Sequence, residues 1–348
     1  MSGATPSAVA QQRQPGPPPA APRSRMKRRV IVLMILVAII AVGWTTFWWQ
    51  ASRTLDSLAQ DFLENSARNG IAVRCEPRSV GGYPFLLDIS CGSFALVSDR
   101  APTIAAGRLI AGARVYDPNR VVANLDGPLT VGDPAAPLAS LVWQRAQMSL
   151  NLQDGAVARG AVSIDHAVLK AGPVPATNID LLELHARRTP TTEGGTDLAW
   201  TAAGVRFPAS SPLDGALLVT IEDGGATLLG AGLAVPIEGL PIDVTDFHLG
   251  NGATLIKAAG SLRLRPDGLI DGDLKATVID PAGLPSLFAP FLPQNGALVA
   301  VAGAISAFGL PSEVDGKPAR TLPIRIAASR VSIGMLTLVT LPPIPVGN

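Results

Sequence analysis

Twenty consecutive residues, 30–49, carry no charged side chain. At about 1.5 Å of rise per residue, a helix of that length reaches roughly 30 Å, the thickness of a bilayer's hydrocarbon core. Arg23, Arg25, Lys27, Arg28 and Arg29 flank the run on one side, and Trp44, Phe47, Trp48 and Trp49 crowd its other end. Amphipathic rings favour the headgroup region, and a basic flank stays on the cytoplasmic side. The pattern reads as one transmembrane helix over 30–49, with Arg28, Arg29, Trp44, Trp48 and Trp49 at the interfaces and everything after Gln50 exported. A cleaved signal peptide shares these features, but its apolar stretch is usually about 7–15 residues long. Cleavage also needs small residues at −3 and −1, and Trp49 stands at −3 of the site after Ala51.

The preceding segment, 1–29, holds six prolines, six basic residues and no acid, which predicts a disordered cytoplasmic tail. Met26, just before Lys27-Arg28-Arg29, is an alternative translation start. Of 28 basic residues, the 22 outside the tail face 27 acidic ones, and five of the 28 are lysines. That balance argues against nucleic acid and against a polybasic headgroup patch. Aromatic content is 5%, while 35 glycines and 31 prolines fit many short strands joined by turns. About 280 residues follow the anchor, enough for two packed subdomains or one long folded sheet.

Residues 50–70 continue in helical register as a stalk. Leu55, Leu58, Ala59, Phe62 and Leu63 form an apolar stripe, and Gly70 is placed to cap the helix. The period then changes from 3.6 to 2. Ala146, Met148, Leu150 and Leu152 alternate with Gln147, Ser149, Asn151 and Gln153, and similar alternation marks 262–265, 273–278 and 324–328. Asp-Gly pairs at 126–127, 154–155, 214–215, 223–224 and 315–316 signal turns. One-face alternation means antiparallel strands, because buried parallel strands read as unbroken apolar runs. The expected fold is mainly β over 71–348: a long curved antiparallel sheet folded on itself, preceded by the transmembrane and stalk helices. A short helix is expected at 282–291, where Leu284, Leu287, Phe288 and Phe291 make an apolar cluster available to a core or a ligand.

Recognisable chemistry is absent from this pattern. His166, His185 and His248 each stand alone, and no hydrolase, nucleotide-binding or metal-ligand signature is present. No cofactor, metal or catalytic residue is expected; a hydrolase built from dispersed carboxylates remains the enzymatic alternative. Cys75 and Cys91 lie in the exported part, where an oxidising compartment favours a structural disulfide. Between them the string Gly81-Gly82-Tyr83-Pro84-Phe85 reads either as a strand corner or as a site in which Tyr83 and Phe85 face a ligand.

The anchor followed by Cys75, Gly-Gly-Tyr-Pro-Phe at 81–85 and Cys91 resembles the bacterial envelope proteins of domain-of-unknown-function family 2125. The ending Arg330-Val331-Ser332-Ile333-Gly334 with Leu341-Pro342-Pro343-Ile344 is similar to that family's. The resemblance implies a bacterial inner-membrane protein with its N-terminus in the cytoplasm and a periplasmic domain, and it implies no reaction. The strands and Asp-Gly turns of 260–274 also resemble those of AsmA-like envelope proteins, which implies by analogy a role in lipid movement. The resulting expectation is a non-enzymatic protein that binds or transfers a lipid or another apolar envelope component. The alternative is a structural scaffold docking an envelope protein partner. The cystine would close a loop of about 17 residues, so reducing it, or Cys75→Ser with Cys91→Ser, is expected to lower unfolding stability by about 3 kcal/mol in a denaturant titration.

Overall fold

The computed structural model describes residues 24–68, 70–98, 101–133, 135–154, 156–172, 174–190, 194–208, 210–222, 235–236, 238–289, 296–334 and 336–344. The chain divides into two compact units, Met1–Gln50 and Ala51–Asn348. One helix, α1 (Ser24–Arg68), passes from the first into the second. It begins six residues inside the segment expected to be disordered, and it continues unbroken through the expected boundary between membrane and stalk helices. Pro22 is the last helix-breaking residue before it. Arg, Lys and Met are good helix formers, and extending an existing helix needs no new nucleation. The Thr45 and Thr46 hydroxyls donate to the carbonyls of Ala41 and Val42, both at 2.8 Å, so neither is left without a bond in the apolar run.

Gly70, at φ 83°, ends α1 as expected for a glycine cap. Its N–H donates to the Ala67 carbonyl (3.1 Å) and that of Ile71 to the Ser66 carbonyl (3.0 Å), the paired bonds of a Schellman closure. The chain reverses there into β1 (Ala72–Gly81), and Arg78 on this strand reaches back to Asp56 on α1 at 3.0 Å. Asp56 lies about 18 Å before the end of the helix and Arg78 about 20 Å along the strand, so α1 and β1 run antiparallel, side by side. Leu55, Ala59 and Leu63 are half-buried on this side. Leu58 and Phe62, expected on the same stripe, are 60% and 61% exposed on the other. A single flat strand beside the helix covers a narrower arc than the stripe spans.

Every strand pair is antiparallel, and the nineteen strands among the described residues form one sheet. β2 (Leu86–Ser98) follows β1. Three long passes come next, each broken in the middle: β3 (Ala101–Ala106) with β4 (Leu109–Arg114), β5 (Asp117–Leu125) with β6 (Leu129–Asp133), and β7 (Ala136–Val142) with β8 (Arg145–Gln153). The meander continues through β9 (Ala156–Ala171), β10 (Val174–Arg188), β11 (Thr196–Val205), β12 (Leu213–Ile221), β13 (Leu240–Gly250), β14 (Leu255–Leu264) and β15 (Ile270–Ile279). A 3-10 turn, Pro281–Gly283, then α2 (Leu284–Phe288) and α3 (Gly296–Phe308) interrupt it. β16 (Leu310–Val314), β17 (Lys317–Ala327), β18 (Arg330–Ile333) and β19 (Leu336–Thr340) complete the sheet, with β17 paired to β15.

Asp214-Gly215, read as a turn, lies inside β12 instead. The Asp214 carboxylate accepts the Gly204 N–H of the adjoining strand β11 (2.8 Å), a hydrogen bond that a strand end can supply as well as a turn. The pair Asp223-Gly224 lies outside the described residues. α3 has no counterpart in the sequence reading, because a helix that is apolar all round shows no period.

The breaks in the three long passes fall on one line. Leu109 pairs with Leu125 and Ile104 with Val131, so the register carries on across the interruption at Gly107-Arg108 and Asp126-Gly127-Pro128. The Gly107 N–H donates to the Asp126 carbonyl (3.0 Å) and the Asp126 N–H to the Arg108 carbonyl (2.8 Å), so the break costs no backbone bonds there. A Cβ at Gly107 would stand 2.8 Å from the Asp126 carbonyl oxygen. The line continues through Trp143-Gln144, through His166 at φ 49° and through Gly204 at φ 61°. It is a crease along which the sheet bends.

On the outer face, Asp197 ties three strands together. It accepts hydrogen bonds from Arg187 (3.0 Å), Thr189 (2.8 Å) and Thr220 (3.0 Å), and its side chain is 12% exposed. Burial pushes its carboxyl upward, but the bonds from Thr189, Arg187 and Thr220 and the Arg187 charge outweigh it and hold the group below its ordinary value. Stability from such a group is present above the unfolded value of about 3.9 and is lost as pH falls through the lower folded value. Asp197→Asn is therefore expected to lower stability by about 1–2 kcal/mol at pH 7 in thermal melts, the gap from the parent narrowing below about pH 4.

Candidate functional site

In antiparallel pairs, directly opposed residues share a face, so the register traces what each face carries. From Val80 on β1 the opposed residues are Ile89, Ala111, Ala123, Met148 and Val162. They continue through Leu184, Trp200, Leu217 and Phe247 to Ala258, Ala276 and Leu322 on β17. No polar side chain other than the Trp200 indole interrupts this line across thirteen strands. A parallel line two residues along runs from Leu87 through Val121, Leu150, Leu198, Val219 and Leu274 to Ile324, with Ala, Val or Gly between. In β13 the register slips between Val244 and Phe247, and this bulge keeps both residues on the inner face although they are three positions apart.

The opposite face is polar. Asn124, Gln147, Ser163, Glu183 and Thr201 oppose one another in turn, and Ala216, His248, Lys257, Thr277 and Thr321 follow. His185 and His248 belong to this outer face, beside Glu183 (3.9 Å) and Asp246 (3.0 Å). His166 lies on the crease.

Coverage of the inner face is uneven. At the β15–β17 end, α2 and α3 pack on it, and Leu284, Leu287, Ala302 and Ile305 join Phe207, Leu213, Val278 and Leu322 in a buried cluster. Near the ends of β12, β13 and β14 a second cluster gathers Ile221, Leu240 and Leu264. Between these clusters and the crease Met148, Leu184 and Trp200 remain 36%, 45% and 40% exposed.

At the crease lies an open cavity of about 340 Å³. Leu129 and Leu141, from strands beyond the line, share it with Ala123, Met148, Val162 and Ile164 from strands before it. Trp143 closes one side. Its indole N–H donates to the Leu125 carbonyl (2.9 Å), and its ring stands 3.5 Å from where a Gly127 Cβ would be. Gln147 borders the chamber, but its side chain lies on the outer face, where its amide donates to the Asn124 side-chain carbonyl at 3.0 Å. A chamber of this composition offers dispersion contacts and no hydrogen bond from a side chain, so it suits hydrocarbon.

The residues singled out from sequence lie elsewhere. Leu284 and Leu287 are 3% and 1% exposed, and Phe288 packs against the same cluster, so these three are core rather than ligand-facing. The short helix sets its apolar side onto the sheet, and no apolar surface of Leu284 or Leu287 remains for a ligand. Phe291 lies outside the described residues. Tyr83 and Phe85 stand on the turn between β1 and β2, 53% and 60% exposed, and are not part of the cavity lining. Gly82, at φ 96°, makes that turn possible, because a Cβ there would stand 2.7 Å from the Leu86 carbonyl oxygen. Cys75 and Cys91 are bonded across β1 and β2, with Cα atoms 4.9 Å apart. Arg28, Arg29, Trp44, Trp48 and Trp49 all lie on α1, with about 22 Å of helix between Arg29 and Trp44.

Over residues 48–342 the chain matches the family described as an uncharacterized protein conserved in bacteria (DUF2125). The chain belongs to that family. The match takes in the whole β sheet and most of α1's second half, the parts that build the inner face. No curated protein and no solved structure matches the chain, so the likeness to AsmA-like proteins rests on strand alternation alone.

A cavity with real room tolerates added volume that a packed core does not. Ala146→Phe, in the lining, is expected to cost less than about 1 kcal/mol, whereas Ala302→Phe, in the helix-covered cluster, is expected to cost about 1–3 kcal/mol or more, as read from urea midpoints.

Proposed function

We propose that this protein is a single-pass bacterial inner-membrane protein, N-terminus in the cytoplasm, whose periplasmic sheet binds or transfers a lipid or another hydrocarbon component of the envelope. One observation carries the reading: an apolar face unbroken across thirteen strands, uncovered at Met148, Leu184 and Trp200 and opening onto a hydrocarbon-lined chamber at the crease. A soluble sheet ordinarily covers such a face, because leaving it in water forfeits about 25 cal/mol per Å². The anchor reading is supported by α1, whose apolar stretch has a mean hydropathy of 2.7 and is long enough to cross a membrane. The disulfide supports an oxidising compartment for the sheet. Binding rather than catalysis is the reading, because among the described residues the two apolar lines carry no acid, base or nucleophile.

A second reading has its own observation. α3 exposes Val299 (57%) and Phe308 (84%), and Leu310 just beyond it is 68% exposed, an apolar outer surface that fits a protein partner of the envelope.

Lipid extraction from the purified full chain, quantified by mass spectrometry, tests the main reading. Bound acyl lipid is expected with the parent protein and a several-fold lower amount with Ala146→Phe at unchanged circular dichroism. Parent protein that carries no more lipid than Ala146→Phe would falsify it.

A further inference from the structure

Both tyrosines of the chain, Tyr83 and Tyr116, stand on turns at the same edge of the sheet, and the two turns are joined directly. The Val115 N–H donates to the Phe85 carbonyl at 3.0 Å. Around this bond Tyr83 is 53% exposed, Phe85 60%, Leu86 46% and Tyr116 68%. The Arg114 guanidinium lies 5.9 Å from the centre of the Tyr116 ring. Arg114 and Arg120 flank a shallow cleft beside Leu86, with Asp117 as the acid in its lining. In a protein with two tyrosines and nine phenylalanines, four large side chains gathered on two turn tips form a distinct surface feature. None of the four belongs to a buried cluster.

The position of these tips follows from the second unit alone. α1 and β1 run antiparallel, pinned by Arg78 and Asp56. From Asp56 back to Ala51 is about 7 Å of helix, and from Arg78 on to Gly81 is about 10 Å of strand. Ala51, where α1 leaves this unit, is therefore level with the turn that carries Tyr83 and Phe85. The apolar stretch 30–49 ends two residues before Ala51.

We propose that the tip cluster Tyr83, Phe85, Leu86 and Tyr116, with Arg114 and Arg120, rests in the headgroup layer of the bilayer that α1 crosses; this rests on the reading of α1 as a membrane span. Rings with a polar handle partition to that layer, and guanidinium groups pair there with lipid phosphates. The sheet edge is then held at the membrane surface, with β1 and β2, where the apolar lines of the inner face begin, nearest to lipid. Hydrocarbon leaving the bilayer meets that face without crossing open water.

Spin labels on the full chain in liposomes of phosphatidylethanolamine and phosphatidylglycerol test the proposal. Single sites are Tyr116→Cys, Phe85→Cys, Asp315→Cys on the opposite edge and Ile40→Cys within the apolar stretch, each labelled with the native disulfide intact. The ratio of oxygen to nickel-chelate accessibility is expected to be several-fold higher at 116 and 85 than at 315. A lipid-embedded label at 40 with aqueous labels at both 116 and 85 overturns the tip proposal and leaves the anchor standing. An aqueous label at 40 overturns both.

Discussion

The arrangement depends on one constraint, the strict inside–outside alternation of side chains in an antiparallel ladder whose register holds from β1 to β17. A slip of one residue anywhere would carry a strand's apolar set to the outer face and its polar set inward. The β13 bulge shows how closely this is kept: an extra residue is accommodated so that Val244 and Phe247 both stay inside. Backbone pairing supplies the continuity, and the side chains merely have to be apolar and of moderate size. Small residues such as Ala111, Ala123, Gly160 and Ala258 suffice in many places, which explains how a sheet of this extent is built with few aromatics.

The crease gives that face its candidate site. A uniformly twisted sheet would present its apolar rows to water or need a second layer to cover them. Bending along the line from Gly107 to Gly204 brings Leu129 and Leu141 over Ala123, Met148 and Val162, so the sheet partly covers itself. At the far end α2 and α3 do the covering with buried leucine, alanine and isoleucine side chains. The stretch between is where the protein leaves its inner surface open.

The apolar span, the paired cysteines, the antiparallel β class and the strand alternation over 146–153 are legible in the sequence, because each leaves its mark within about twenty residues. Met148 was visible there as an inward strand position. That it faces Ala123 on one side and Val162 on the other was not, since continuity across strands depends on register. The crease was illegible for the same reason: Gly107, Pro128, Trp143, His166 and Gly204 are unremarkable one by one and align only when the strands are laid side by side. Apolar clusters drew the eye to Leu284 and Leu287, but composition does not distinguish a helix that covers the sheet from one that meets a ligand. Tyr83 and Phe85, candidates for a ligand-facing pair or a strand corner, stand exposed on the turn between β1 and β2 and outside the cavity lining.

Most strands of this sheet hydrogen-bond to the strand before them in the chain; β4, β6 and β8 pair instead one pass back across the crease, and β16 follows the helical excursion. Loop closure for each new pairing is therefore short and entropically cheap. A chain delivered N-terminus first through a narrow channel can lay down its ladder in order of arrival, each newcomer finding its template already in place, and the last strands alone wait for distant sequence.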